Sequence, residues 1–376
     1  MIKPGSPAVR LVVPGNVRHN SGGNAYNAAL AKGLRALGAE VDICRVEGNW
    51  PVGGEDERRR LARRLARRLL DGGEGVGSMG ATSRTPVTIV DGLVALGAPQ
   101  ALEEAAAGGR PAWILVHMPL PGHPDLEGRA LAAAAGVICA SSTAADELRG
   151  RHSSGSHSTA PIHVALPGTS AAALAAGSNP PHFVAVAALL PNKNQLMLLE
   201  ALAAIRELPW TASLVGSDSA DPAYAQAVRG AILSLGLTDR VSVQGELTGQ
   251  ALDAEWSRAD LSVLVSQAEA YGMVVTESLA RGIPVVVRDG TGAVEALAAG
   301  SPDGSEAPDG GGAAALPGTA VVLGADPAPL EAVLRRWLSE PDLRCRWREA
   351  ALAARNRLPG WDVTAGTVLR IIAGAG

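Results

Sequence analysis

Short apolar runs alternate with segments of helical period along the first half of the chain. Residues 9–13, 40–46, 87–91, 112–118, 137–140 and 162–165 read as strands, and residues 24–37 and 55–70 read as helices. The alternation predicts a parallel, doubly wound sheet with ligands at the carboxyl ends of its strands. A second series follows, with strands at 183–190, 213–217, 241–245, 261–265 and 284–287 and helices at 195–206, 248–260, 329–338, 342–357 and 361–372. Low-complexity sequence separates the two series up to Pro181, so the expected fold class is α/β, two Rossmann-like doubly wound domains with a boundary near residue 178.

Composition narrows the class. A chain of 376 residues exceeds one ordinary core, and 47% hydrophobic with 19% charged residues fits neither a disordered nor a membrane protein. A net charge of −4 and only 3% aromatic residues give no basis for a nucleic-acid partner. Cys44, Cys139 and Cys345 lie far apart without C-x-x-C spacing, which supports neither a disulfide framework nor a zinc site. They read as small core residues in a reducing compartment. The first fifteen residues lack a signal-peptide layout, and the Ala-rich run 131–140 is too short to span a bilayer; a soluble, cytoplasmic protein is expected.

The chemistry concentrates in residues 261–289, LSVLVSQAEAYGMVVTESLARGIPVVVRD, a strand, loop, helix, strand unit. Glu269 lies in its loop, and Glu277 sits eight positions later inside an otherwise apolar helix. A rise of about 1.5 Å per residue puts the carboxylates on the order of 10 Å apart, the span of a hexose and a ribose joined by a diphosphate. Each carboxylate can accept hydrogen bonds from sugar hydroxyls. The helix-opening N–H groups of Gly272, Met273 and Val274, just after Tyr271, would face the diphosphate with the positive end of the helix dipole behind them. The plainer alternative is a pair of solvated acids around a helix start.

This run, S-x-x-E-A-Y-G-M-V-V-T-E-S-L-A-R-G-I-P-V-V from Ser266 to Val286, resembles the E-x7-E signature of the retaining family-4 glycosyltransferases of the GT-B fold. The resemblance implies two domains facing a central cleft: an acceptor-side domain (1–178), a nucleotide-sugar donor domain (179–357) and a last helix (358–376) crossing back to the first. It implies transfer of a sugar from a UDP- or GDP-sugar to an acceptor that the sequence does not name. No D-x-D pair stands where a metal would bridge the diphosphate, and the fold generally works without one, so neither metal nor cofactor is expected. In the mechanism usually proposed for the family, the acceptor attacks from the leaving-group face while the departing diphosphate takes its proton.

Other positions match the family one by one. Gly22 and Gly23, in PGNVRHNSGGN after the first strand, resemble its glycine loop between donor phosphate and acceptor. His117, ending the strand 112–118, matches a histidine that contacts a donor-sugar hydroxyl; His19 and His123 are lesser candidates for acceptor contacts. Of the 33 basic residues only Lys3, Lys32 and Lys193 are lysines, and Lys193 stands at a strand-to-helix turn, where a compact charge suits a phosphate oxygen. It matches the diphosphate lysine of the family. The arginine usually found five positions earlier is replaced by Ala188, which leaves the two-cation clamp incomplete.

The roles expected are therefore Glu269 and His117 as catalytic residues on the donor sugar, with Gly22, Gly23, Lys193, Tyr271, Gly272, Met273, Val274 and Glu277 binding the donor. Residues 55–70, EDERRRLARRLARRLL, form a helix with Leu61, Leu65 and Leu69 on one face and seven arginines on the other. That pattern fits a solvated helix first, and it is also seen in helices lying on anionic membranes, which makes peripheral membrane contact the alternative reading. Two rival functions are a nucleotide-sugar binder without catalysis, suggested by Ala188, and a GT-B-fold nucleotide-sugar epimerase. An NAD-dependent oxidoreductase is remote, because the dinucleotide fingerprint is missing.

Overall fold

The computed structural model describes residues 7–15, 21–66, 86–153, 160–301 and 316–374. The chain divides into two compact units, unit 1 of Met1–Gly168 with Trp361–Gly376 and unit 2 of Thr169–Gly360. Each is an α/β unit with its own sheet.

In unit 1 the strands β1 (Ala8–Pro14), β2 (Glu40–Val46), β3 (Val87–Asp91), β4 (Trp113–Val116), β5 (Gly136–Cys139) and β6 (Ile162–Val164) pair in parallel in the order β2-β1-β3-β4-β5-β6. Val9, Leu11 and Val12 of β1 are all buried, although neighbours along a strand point to opposite faces, so both faces of this sheet are covered. Its helices are α1 (Gly22–Ala36), α2 (Glu55–Ala66), α3 (Gly92–Ala95), α4 (Pro99–Ala107), α5 (Pro124–Ala133) and α6 (Ser142–His152).

Unit 2 has β7 (His182–Val186), β8 (Thr211–Val215), β9 (Val241–Gly245), β10 (Leu261–Leu264), β11 (Val285–Arg288) and β12 (Gly318–Val321), again parallel, in the order β12-β11-β10-β7-β8-β9. Its helices are α7 (Gln195–Ala204), α8 (Pro222–Ser234), α9 (Gly249–Ser257), α10 (Met273–Leu279), α11 (Ala293–Ala298), α12 (Ala328–Ser339) and α13 (Pro341–Arg355). Phe183, Trp210 and Trp337 meet in its core, with ring centroids 6.2 and 5.6 Å from Phe183.

Several boundaries differ from the expected ones for local reasons. Helix α1 begins at Gly22, not 24, because Ser21 is extended and its hydroxyl accepts from Asn24 N–H at 3.2 Å, a helix N-cap. Gly22 and Gly23 are thus the first helical residues and not a loop before them. Strand β4 stops at Val116, which leaves His117 one residue beyond the ladder. Strand β7 stops at Val186: Pro191 lacks an N–H and opens a single 3-10 turn, Pro191–Lys193, ahead of α7. Helices α3, α4, α5, α6 and α8 and strand β12 have no counterpart in the sequence reading. Residues 67–85 and 302–315 lie outside the described residues.

Unit 1 closes at Gly168, whereas the sequence places the boundary near residue 178. The intervening segment is tied to unit 2 by backbone bonds, Ala175 N–H to Arg281 C=O at 3.0 Å and Ala176 N–H to Ser257 C=O at 2.8 Å. At the other end α14 (Trp361–Ala373) packs on α1, with the Trp361 ring edge-on to Tyr26 at 5.3 Å and Thr364 Oγ1 donating to Leu166 C=O at 2.8 Å.

On α2 the apolar stripe is used internally. Leu61 and Leu65 are buried in one cluster with Val46, Val94 and Leu102, at about 1.5–3 kcal/mol of burial each, so they are not available to a bilayer. Arg59, Arg60, Arg63 and Arg64 are exposed; Arg67, Arg68 and Leu69 lie outside the described residues.

Candidate functional site

In unit 2 the strand order reverses between β7 and β10, the switch point at which the loops leaving adjacent strand ends diverge and leave room for a ligand. Lys193 follows β7 and Glu269 follows β10. Lys193 Nζ donates to Glu269 Oε1 at 2.5 Å, with the two side chains 20% and 12% exposed. The loops carrying them are joined as well, by Gln267 N–H to Asn192 C=O at 2.7 Å. Glu269 is held from its other side by Gly292 N–H, which donates to its carbonyl at 2.8 Å. A Cβ at position 292 would lie 1.8 Å from Ala270 O, so only glycine lets α11 approach this loop so closely.

Helix α10 starts from Gly272, whose φ of 82° is left-handed. Among the described residues the Met273 and Val274 N–H groups have no acceptor, as expected for the first turn of a helix. Glu277, one turn further, is half-buried, and among the described residues its carboxyl has no hydrogen-bond partner. Burial raises its pKa above the ordinary carboxylate value, and the charge of Arg281 opposes the rise only in part. Arg281 spends its guanidinium elsewhere, on Glu277 C=O at 3.0 Å, on Asp253 at 2.9 Å and over the Trp256 ring at 5.2 Å. Tyr271 is buried, and its hydroxyl has no partner among the described residues; burial, then the Glu295 charge, raises its pKa. Its ring therefore does not face solvent. At the position of the missing arginine, Ala188 C=O accepts from Gln195 Nε2 at 3.0 Å, closing the turn around Lys193.

In unit 1 a second cluster gathers at the ends of β3 and β4. His117 Nε2 lies 3.0 Å from Asn27 Oδ1 and 3.3 Å from Asp91 Oδ2. Two acceptors at one ring nitrogen place the hydrogen on Nε2 and leave Nδ1 without a partner among the described residues. Asp91, only 4% exposed, also accepts from Asn27 Nδ2 at 2.5 Å and Leu93 N–H at 2.8 Å. Burial would raise its pKa, but the His117 charge and the hydrogen bonds from His117, Asn27 and Leu93 outweigh it and hold the carboxyl below its ordinary value. Tyr26 stacks edge-on to His117 at 5.0 Å while its hydroxyl donates to Ala165 C=O at 2.8 Å. The first turn of α1 completes the packing, since a Cβ at Gly23 would come within 3.1 Å of His117 Cδ2.

The sequence-predicted residues thus fall into two groups, Gly22, Gly23 and His117 in unit 1, and Lys193, Glu269, Tyr271, Gly272, Met273, Val274 and Glu277 in unit 2. His123 is exposed at the start of α5, away from the His117 hydrogen bonds, and His19 lies outside the described residues. Sequence reasoning missed Asp91, Asn27 and Tyr26. The available signal was weak: Asp91 is a charged residue ending an otherwise apolar strand at the edge where a site belongs.

Residues 169–353 match the family model of Glycosyl transferases group 1. The chain carries a group 1 glycosyltransferase domain. A D-inositol 3-phosphate glycosyltransferase of Thermomonospora curvata is 34% identical over 181 residues, 48% of this chain and 38% of that protein. The match therefore spans about two fifths of that relative, and it is similarity over one part. Over nearly the whole chain the backbone is similar to sucrose-phosphate synthase of Thermosynechococcus elongatus, with a TM-score of 0.72 and 17% identity across 98% of this chain and 100% of that one. Anabaena HepE, solved in complex with UDP and glucose, has a TM-score of 0.67 and 15% identity across 97% and 99% of the chains. At such identities the likeness is one of fold, and the fold is GT-B, two Rossmann-like units.

The group 1 domain begins where unit 2 begins, and it contains the Lys193 and Glu269 pair, the α10 start and Glu277. Unit 1, outside the match, holds the His117 cluster. Among the described residues of this chain no helix is long and apolar enough to cross a membrane, and no cluster of three or more His, Cys, Asp or Glu could hold a metal ion.

Proposed function

We propose that the protein transfers a sugar from a nucleotide diphosphate sugar, UDP- or GDP-linked, to an acceptor, with retention at the anomeric carbon and with no metal ion required. The observation that carries this reading is the group assembled at the switch point of unit 2: Lys193 against Glu269, with the Glu277 carboxyl on α10 unpartnered among the described residues. Lys193 and the α10 N–H groups are assigned to the diphosphate, where preorganised donors stabilise charge developing on the leaving group without reorganising. Glu269 is assigned to the sugar hydroxyls. Glu277 is assigned to the ribose, whose hydroxyls would supply the donors its carboxyl lacks. To His117 the reading assigns a donor-sugar hydroxyl, reached through Nδ1 while Asp91 and Asn27 hold Nε2. Retention and membership of family 4 rest on the resemblance of residues 266–286.

The test is calorimetric binding of UDP-, GDP-, ADP- and dTDP-sugars to the wild type and to Glu277→Ala. One base should bind, and Glu277→Ala should weaken it about tenfold, the equivalent of one hydrogen bond to a charged group. Equal affinity in the variant would remove Glu277 from the ribose. Ala188 favours a second reading, a binder that holds the nucleotide sugar without transferring it; release of nucleoside diphosphate with a glycosylated product decides against it.

The exposed arginines of α2 support a peripheral contact with anionic lipid, made by charge alone because Leu61 and Leu65 are committed to the core. Co-sedimentation should then occur with anionic vesicles and be lost with neutral ones or in about 0.5 M salt, where the Debye length falls to a few ångströms. Salt-resistant sedimentation would contradict a purely electrostatic contact.

A further inference from the structure

We propose that Glu269 makes the site discriminate between the nucleotide sugar and the nucleoside diphosphate left after transfer, by competing with that product for Lys193. The inference rests on the donor-site reading above and adds a second role to Glu269.

Without a ligand, the Lys193 ammonium is already occupied. Its 2.5 Å bond to Glu269 is partly shielded from water, and the backbone links Gln267 to Asn192 and Gly292 to Glu269 fix both loops so that the carboxylate is presented to the ammonium. No arginine stands at 188 to supply a second cation at the turn. A diphosphate that takes Lys193 therefore displaces Glu269 and leaves a carboxylate only 12% exposed, beside newly arrived negative charge. Such a group is poorly served by water and needs hydrogen-bond donors.

A nucleotide sugar brings them, since sugar hydroxyls can donate to the displaced carboxylate. A free nucleoside diphosphate does not: it carries more charge and no sugar. The same two side chains thus accept the donor together and disfavour the product. Once the sugar has left with the acceptor, Glu269 loses its donors, reclaims Lys193 and loosens the hold on the diphosphate. Discrimination arises because the binding of one ligand leaves a buried charge unpaired and the binding of the other does not.

The experiment compares UDP, GDP and ADP with UDP-glucose, GDP-mannose and ADP-glucose by calorimetry on the wild type, Glu269→Gln, Glu269→Ala and Lys193→Ala/Glu269→Gln. The wild type should prefer the nucleotide sugar to its free nucleotide. Glu269→Gln, close in shape and uncharged, should bind the free nucleotide about tenfold more tightly, the counterpart of one charge-assisted hydrogen bond no longer competing, and should lose the preference for the sugar. Glu269→Ala should tighten the free nucleotide likewise, so the result does not depend on how the amide orients. In the Lys193→Ala background the gain should vanish, since there is no ammonium to compete for. Unchanged or weaker binding of the free nucleotide in both folded single variants, verified by thermal melts, overturns the inference and leaves the donor site standing. Failure of the wild type to bind any member of either set overturns the donor-site reading and this inference with it.

Discussion

Lys193→Ala is expected to lower the transfer rate by about two to three orders of magnitude, the usual cost of removing one preorganised donor to developing negative charge. The expectation follows from position. Lys193 ends the 3-10 turn after β7, its ammonium lies at the switch point, and at 20% exposure it is held in a less aqueous setting than a surface lysine. The fold should survive the change. A partly exposed ion pair contributes roughly 1 kcal/mol or less, and the turn itself is held by Lys193 N–H to Leu190 C=O at 2.9 Å and Gln195 to Ala188, none of which uses the ammonium. Initial rates with the nucleotide sugar identified by binding, run beside thermal melts, separate the two effects. A rate within threefold of wild type would remove Lys193 from the leaving group. Lys193→Arg should recover only part of the loss, because a planar fork does not replace a compact ammonium.

Asp91→Ala is expected to destabilise unit 1 by about 3 kcal/mol, because it leaves Asn27 Nδ2, Leu93 N–H and His117 without their buried acceptor. Transfer should fall as well, since His117 then loses one of the two acceptors that orient its ring. The pH dependence has a definite sign. The Asp91 pKa is depressed in the folded protein, so its contribution is fully present above the unfolded carboxyl value of about 3.9 and is lost as the pH falls through the lower folded value. Urea unfolding of wild type against Asp91→Asn between pH 7 and 2 should therefore show a gap that is widest at neutral pH and closes under acid. A gap that stayed constant to pH 2 would mean that the Asp91 charge carries none of the stability. Glu277 works in the opposite sense: with a raised folded pKa, its ionised form costs stability at neutral pH, and protonation relieves that cost.

What could be read from the residues alone was whatever depends on neighbours in the chain. The alternation of apolar runs with helical periods implied two parallel sheets, since a strand covered on both faces and the helix beside it each leave a local signature. The ungapped run from Ser266 to Val286 placed Glu269, Gly272 and Glu277 on one loop and one helix, and the rarity of lysine drew attention to Lys193. The start of α1 and the end of β7 shifted by a few residues because the Ser21 cap and Pro191 settle such limits one hydrogen bond at a time.

What only the tertiary structure decided was which strand ends meet. Asn27, Asp91 and His117 are brought together because β3 lies between β1 and β4, an order that no local spacing records. Lys193 and Glu269, read separately as a phosphate ligand and a sugar ligand, are one ion pair because β7 lies beside β10. The leucine stripe of α2 was plain from its period, but a period shows only that a face is apolar, and the packing of unit 1 decided that the core covers it. Side-chain chemistry and periodicity are properties of the local chain. Pairing across the sheet is a property of strand order, which is selected by the burial of the whole unit.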